Sequence, residues 1–495
     1  MKLTIWDPKT GAPEALAVMV FENDTVYDDE SLSAFIGKAS ELGGFEGKKG
    51  AELLVFPEAG SGVNVKKLLL IGCGKKDKAD LETFRTFSGA AVQSLIKKKV
   101  MAASLLAPSK SKITMDPEKT LTAIMEGALL ANHVYTDYLT DNNSKTLESI
   151  EVFAEAQLVE AYAALPARID IITQGTMMAM DWVSMPSNDK YPELLANIYK
   201  STAEEFSDKI KVTVFDEAYL EKNGFGALMA VGQGSEHKPR FVVMDYTPLK
   251  DSGEKPFVLI GKGVTFDSGG INLKSSEGIN GMKMDMGGSA AAAATLISLA
   301  RLGFPRRVVA VTPMAENMPS GIATRTGDVI KTLNGKFVEI TNTDAEGRLI
   351  LADAITYTVR ELKPEFIIDL ATLTGACVVA LGESMAGLFS TDDDLSDAIA
   401  KAGEITYERC WKLPLPEDYN EELKSDVADM RNTGKSRMGG AITAALFLKT
   451  FIEDVKWAHI DIAGPAMAKK AGAYMKPGGT GFGVRLLCEA LYQLL

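Results

Sequence analysis

Two short stretches of the chain crowd acids and bases among glycines. The first runs Gly261-Lys262-Gly263-Val264-Thr265-Phe266-Asp267-Ser268-Gly269-Gly270 and continues through Lys274 to Lys283-Met284-Asp285-Met286-Gly287-Gly288. The second is Asn342-Thr343-Asp344-Ala345-Glu346-Gly347-Arg348-Leu349. In the second, Asp344, Glu346 and Arg348 are spaced by two, so an extended backbone would project all three to one side. An acidic cap for a helix starting near Leu349 would account for Asp344 or Glu346 alone. It accounts poorly for Arg348 at the positive end of a helix. In the first stretch Asp267 and Asp285 flank Gly269, Gly270, Gly278 and Gly281, which permit tight turning and close backbone approach. Lys262 ends an apolar run, where an ammonium is costly unless neutralised or paired.

If the two loops converge, Asp267, Asp285, Asp344 and Glu346 bring four negative charges, which two divalent cations would balance. The three histidines (His133, His237, His459) and four cysteines (Cys73, Cys377, Cys410, Cys488) are scattered, with no CxxC. Any metal chemistry must therefore run on carboxylates. Oxygen ligation suits Mn²⁺ or Mg²⁺, and Zn²⁺ also accepts carboxylates and outcompetes Mn²⁺ in raw affinity. A metal pair about 3.5–4 Å apart activates a water and polarises a carbonyl or phosphoryl oxygen. Lys274 and Arg348 remain as cations to face developing negative charge.

The elements that must position these loops follow from hydrophobic periodicity. After residue 190 the chain alternates strand and helix. Phe257–Ile260, Arg307–Val311, Lys336–Thr341 and Phe366–Leu370 read as strands, and 288–302, built on Ala290–Ala294, reads as a helix. That order predicts a central mixed, largely parallel sheet flanked by helices, with loops at strand C-termini carrying the chemistry. The first 160 residues predict a smaller α/β domain, with strands at 51–56 and 67–71 and a helix over 81–95. Residues 150–182 read as mostly helical. The expected division is an N-terminal α/β domain (1–165), a linker helix (166–185) and a larger catalytic α/β domain (186–495). Met177, Met178, Met180 and Met185 read as core filler.

Composition narrows the classes. Hydrophobic residues are 46% and charged residues 24% of 495, which is ordinary globular usage and disfavours disorder. The net charge of −13 disfavours a nucleic-acid or anionic-membrane coat, and Lys97-Lys98-Lys99 reads as a solvated helix end. No run approaches the ~20 apolar residues of a membrane helix. The start, Met1 to Pro8, does not read as a signal peptide. A cytoplasmic protein is expected.

The eight-residue stretch 342–349 resembles the signature of the leucine aminopeptidase (cytosol aminopeptidase) family of dinuclear metallopeptidases. The resemblance extends through Gly261–Gly270, Lys274, Met284-Asp285-Met286, Glu316-Asn317-Met318-Pro319, Gly439–Thr443 and His459–Gly464. It implies that Lys262, Asp267, Asp285 and Glu346 hold one metal, and that Asp267, Asp344 and Glu346 hold the other, with Mn²⁺ or Zn²⁺ as the ions. Lys262 would ligate as a neutral amine, which requires a pKa well below its usual ~10.4. The resemblance further implies a bridging water as nucleophile and Lys274 on the oxyanion. Arg348 would hold a bicarbonate that shuttles a proton. Met282, Thr372, Gly375 and Ala463 would line the pocket for the N-terminal side chain. The implied activity is release of N-terminal residues, leucine and other apolar ones preferred, by a homohexamer.

Two rival classes stand beside this one. A carboxylate-bridged dinuclear phosphoesterase would use the same ligands without needing a free amine on its substrate. A DNA-binding or regulatory role would need a basic stripe, which is absent. A P-loop fails because Asp429 stands where the first glycine is required. His459, in an alternating apolar run, reads as a core histidine.

Overall fold

The computed structural model describes residues 1–7, 13–22, 24–58, 60–140, 145–206, 208–250 and 253–495; Pro8 of the N-terminal reading lies outside them. The chain forms two compact units. One comprises Met1–Thr173 with Lys470–Pro477, the other Gln174–Lys469 with Gly478–Leu495.

The first unit is a six-stranded sheet in the order Lys2–Trp6, Ser149–Phe153, Ala102–Leu106, Ala15–Val20, Lys67–Gly72, Glu52–Val55, parallel except for its last strand. The helices Leu81–Lys97 and Pro117–Asn132 each begin with an aspartate (Asp80, Asp116) whose side chain accepts an N–H of the first turn. They pack closely enough that Gly127 leaves no room for a Cβ against Arg85. The buried pair Arg85–Glu126, at 2.6 Å, joins them. The segment Lys470–Pro477 belongs to this unit through Tyr474, whose hydroxyl reaches Glu82 at 2.8 Å, and Gln93, which donates to the Ala473 carbonyl. Residues 150–182 are mostly helical, as expected, but the span opens on a strand. The strand Ser149–Phe153 precedes the helices Ala156–Ala161 and Leu165–Ser184, because Ile150, Val152 and Phe153 are buried in the sheet.

The second unit carries a nine-stranded mixed sheet. Its order is Cys410–Lys412, Ala386–Ser390, Lys456–Asp461, Phe366–Ala371, Phe257–Gly261, Val308–Asn317, Arg240–Tyr246, Ile210–Phe215, with Gly263–Asp267 pairing beside Val308–Asn317. The central strands run parallel, and the antiparallel pairs lie toward the edges. The central strands read as unbroken apolar runs because both faces are covered. The helix Gly287–Leu302 is buried along nearly its whole length, and its alanines allow close seating on the sheet. At Gly288 a Cβ would come within 2.0 Å of the Leu370 carbonyl oxygen.

One expected strand is placed elsewhere. Phe337–Glu339 joins Val329–Lys331 and Met430–Arg431 in a separate three-stranded sheet. Phe337 stays 48% exposed, so this strand lacks the two-sided burial of the central ones.

Candidate metal centre

The first loop leaves strand Gly263–Asp267, and the second enters helix Gly347–Tyr357. The second loop is not extended as the spacing argument supposed. Glu346 is already helical in backbone conformation, and Arg348 lies in the first turn of the helix. Convergence is reached by turns instead. Carboxylate oxygens of Asp267, Asp344 and Glu346 lie within 4.8 Å of one another. Asp285 ends a short 3₁₀ turn, Met282–Met284, and meets the same group through Lys262.

Lys262 Nζ lies 2.8 Å from Asp285 Oδ2 and 2.7 Å from Glu346 Oε1, and donates to the Thr372 carbonyl at 2.7 Å. Lys274 Nζ lies 2.7 Å from Asp267 Oδ2 and also contacts Asp344 Oδ1. Lys262, Asp267, Asp285 and Glu346 are all buried. Burial, and then the neighbouring carboxylates, push Asp267 above its ordinary pKa and Asp285 well above it; Asp344 is raised mainly by burial. Burial pulls the Lys262 amine down, but Asp285, Glu346 and Asp267 outweigh it and hold the group above its ordinary value. Burial alone therefore does not release the amine's proton; ligation by Lys262 would need a cation's own charge to bring that about.

Four carboxylates share this space with two ammonium groups. Asp285 Oδ2 and Asp344 Oδ1 are buried without a hydrogen bond, held only as ion pairs. The donor set is oxygen-rich with no histidine or thiolate, which fits hard or borderline divalent cations. Gly269, at φ +90°, turns the first loop where a Cβ would come within 2.9 Å of Asp344 Oδ1.

Arg348 is buried and donates from Nη1 to the Asn432 carbonyl at 2.8 Å; among the described residues its Nε has no hydrogen-bond partner. Burial pushes its pKa down to about 10, which still leaves it charged at neutral pH. Thr372 Oγ1 donates to Asp285 Oδ1 at 2.6 Å, so it braces an acid of the site as well as lying on the expected pocket loop. The Asp461 carboxylate accepts the N–H groups of Leu373, Thr374 and Ala463, tying the loop of Thr372 and Gly375 to Ala463. Met282 is half-buried at the start of the turn that ends on Asp285.

Several residues that charge counting passes over hold the loops together. Asn317 Nδ2 donates to Asp267 Oδ1 at 2.8 Å and to the Thr343 carbonyl at 3.1 Å. Thr343 Oγ1 donates to the Gly269 carbonyl at 2.6 Å, and the Asn272 carboxamide oxygen accepts the Thr343 N–H at 2.8 Å. Asn432 accepts the Thr341 N–H and donates to the Asn342 carbonyl. The Glu316-Asn317-Met318-Pro319 motif was the sequence signal for the first of these. His459 Nδ1 lies 2.6 Å from Asp369 Oδ1, and among the described residues its Nε2 has no hydrogen-bond partner, so this core histidine is satisfied on one side only.

Residues 177–488 match the catalytic domain of the cytosol aminopeptidase family, and residues 17–142 match that family's N-terminal domain. A probable cytosol aminopeptidase of Syntrophotalea carbinolica is 41% identical over 100% of this chain and 96% of its own. One from Roseiflexus castenholzii is 41% identical over 99% of this chain and 98% of its own. Among solved structures, the bottromycin maturation enzyme BotP in complex with Mn is 34% identical with a TM-score of 0.84, covering 97% of this chain and 99% of that one. A mutant of tomato leucine aminopeptidase is 31% identical with a TM-score of 0.87, covering 100% and 96%. With both domains matched and the acid cluster assembled on the matched catalytic domain, the chain belongs to the cytosol aminopeptidase family of metal-dependent peptidases.

Proposed function

We propose that this protein is a leucyl aminopeptidase that removes N-terminal residues from peptides, leucine and other apolar ones preferentially, using two divalent cations. The observation that carries the reading is the convergence of Asp267, Asp344 and Glu346 oxygens within 4.8 Å, with Asp285 joined through Lys262. Lys262, Asp267, Asp285 and Glu346 would hold one ion, and Asp267, Asp344 and Glu346 the other. When bound, Mn²⁺ or Zn²⁺ ions held there would supply an activated water as nucleophile and Lewis-acid polarisation of the scissile carbonyl.

The chain's own residues do the remaining work. Lys274, its side chain 16% exposed, reaches the site edge and donates to the oxyanion as negative charge develops there. Arg348, with Nε unpartnered, offers a fixed cation for a bicarbonate that carries the proton to the leaving amine. Met282, Thr372, Gly375 and Ala463 line the side-chain pocket. Such a pocket separates neighbouring methylenes by only about 1–3 kcal/mol, so specificity is broad. Residues 186–495 act as the catalytic domain, apart from Lys470–Pro477, which pack with the N-terminal unit; 1–165 form the N-terminal α/β domain and 166–185 the linker helix. A homohexamer in the cytoplasm is the working form. Among the described residues no helix is long and apolar enough to cross a membrane.

The test is hydrolysis of leucine p-nitroanilide by chelator-stripped protein before and after Mn²⁺ or Zn²⁺, beside N-acetyl-leucine p-nitroanilide and p-nitrophenyl phosphate. Metal-restored cleavage of the free-amine substrate alone is expected. Indifference to the acetyl group, or turnover of the phosphate ester, would overturn the substrate class.

A further inference from the structure

Asp267 and Asn317 are register partners at the ends of two parallel strands, Gly263–Asp267 and Val308–Asn317. Their side chains meet: Asn317 Nδ2 donates to Asp267 Oδ1 at 2.8 Å. The Gly269 N–H donates to the same oxygen at 2.9 Å. Oδ1 is thus held by two donors, and Oδ2 is the oxygen that meets Lys274. The same Asn317 nitrogen donates to the carbonyl of Thr343, the residue before Asp344. The Asn317 main-chain carbonyl accepts both the Ser268 N–H at 3.0 Å and the Ser268 hydroxyl at 2.7 Å. Asn317 is 5% exposed, so little water competes for these bonds.

We propose that Asn317 is a positioning residue for the cation site, fixing the rotation of the Asp267 carboxylate and the spacing between the loops that carry Asp267 and Asp344. The proposal rests on the two-cation reading above. The chemistry explains the residue type. A carboxamide nitrogen has two protons and can serve a carboxylate and a carbonyl together. An aspartate in its place would face both acceptors with another acceptor. A carboxylate whose orientation is set beforehand loses less freedom on binding an ion, and such outer partners typically contribute 10–100-fold, on the order of one to two decades, to metal affinity.

The experiment compares Mn²⁺ affinity, by competition with a chromophoric chelator, in the unaltered protein, Asn317→Ala, Asn317→Leu and Ser235→Ala. All are measured where circular dichroism shows them folded. Asn317→Leu keeps the side-chain volume should the truncation unfold the strand. Ser235→Ala removes the hydrogen bond to Glu316, one residue back on the same strand, and so disturbs the strand without touching Asp267. A loss of about 10–100-fold is expected in both Asn317 variants, with leucine p-nitroanilide cleavage recovering at excess Mn²⁺, and no loss in Ser235→Ala. Unchanged affinity in both Asn317 variants, or an equal loss in Ser235→Ala, overturns the proposal. Absence of Mn²⁺ binding in the unaltered protein instead overturns the two-cation reading itself.

Discussion

Gly347 lies against Lys262 so closely that a Cβ at position 347 would come within 2.6 Å of Lys262 Cε and 2.7 Å of Nζ. The amine reaches Glu346 and Asp285 only because the next residue has no side chain. Lys262 cannot yield easily, since its nitrogen is also held by the Thr372 carbonyl. Gly347→Ala is therefore expected to cost about 1–3 kcal/mol of stability through overpacking. Displacing the amine by about 1 Å should lower kcat/KM by ~100-fold. Urea unfolding and leucine p-nitroanilide kinetics on the same variant measure the two effects. A variant with parental kinetics would show that Lys262 need not stand where it does.

Lys190 makes a second prediction, away from the chemistry. It is fully buried, and its amine donates to the carbonyls of Trp182 (2.7 Å) and Val183 (2.9 Å) at the end of the helix Leu165–Ser184. Burial, and then the charge of Lys283, holds its pKa well below the ordinary lysine value. Lys283 donates to the next carbonyl, Ser184, so two amines close one helix end. Lys190→Met keeps most of the volume but leaves two buried carbonyls unsatisfied, and a loss of about 1–3 kcal/mol is expected in urea unfolding. An unchanged midpoint would mean that the carbonyls find other partners.

What the sequence shows and hides follows physical lines. The acids and lysines of the site stand out because charge is expensive beside apolar strands, so their density among glycines at 261–288 and 342–349 demands a purpose. The helices over 81–95 and 288–302 are legible because each carries its own period or composition, and both appear within two residues of those bounds. Asn317, Thr343 and Asn432 are not legible from composition. Their value lies in register: Asn317 matters because its strand ends level with Asp267, fifty residues away in the chain. The strand near Lys336–Thr341 shows the same limit. Its local pattern announces a strand, but nothing local says that its neighbours are Val329–Lys331 and Met430–Arg431.

Asp353 supplies a pH dependence separate from the acid cluster. It is buried in helix Gly347–Tyr357; its Oδ2 accepts the N–H groups of Ala227 and Leu228, and its Oδ1 accepts that of Leu333. Burial pushes its pKa up to about 7, against the three N–H groups that hold it down. A carboxyl raised on folding binds its proton more tightly in the folded protein. Its contribution is therefore greatest below the unfolded value near 3.8 and falls away as pH rises toward 7. The shift corresponds to a few kcal/mol, about 1.36 per pH unit. Asp353→Asn should be destabilised at pH 5, because one N–H set faces an amide nitrogen. It should also show a flatter stability profile between pH 5 and pH 8 than the parent. Urea midpoints at the two pH values decide it, and parallel profiles would remove Asp353 from the account.

A bicarbonate held at Arg348 has a direct test. Arg348 spends Nη1 on the Asn432 carbonyl, and among the described residues its buried Nε has no hydrogen-bond partner, so the guanidinium is anchored at one edge with a donor left over at another. A lysine has a single charged nitrogen and cannot do both, which makes Arg348→Lys a stringent substitution. Arg348 lies two residues past Glu346 but belongs to neither expected ligand set, so Mn²⁺ binding should survive in Arg348→Lys and Arg348→Ala. Turnover should fall by roughly 10²–10³-fold, the range for losing one preorganised charge-stabilising donor. Turnover of the unaltered protein should rise with added bicarbonate in carbonate-depleted buffer, and that response should vanish in both variants. A bicarbonate response that persists in Arg348→Ala would place the anion elsewhere. Equal turnover with and without bicarbonate in the parent would leave Arg348 as a positioning cation that holds the second loop through Asn432.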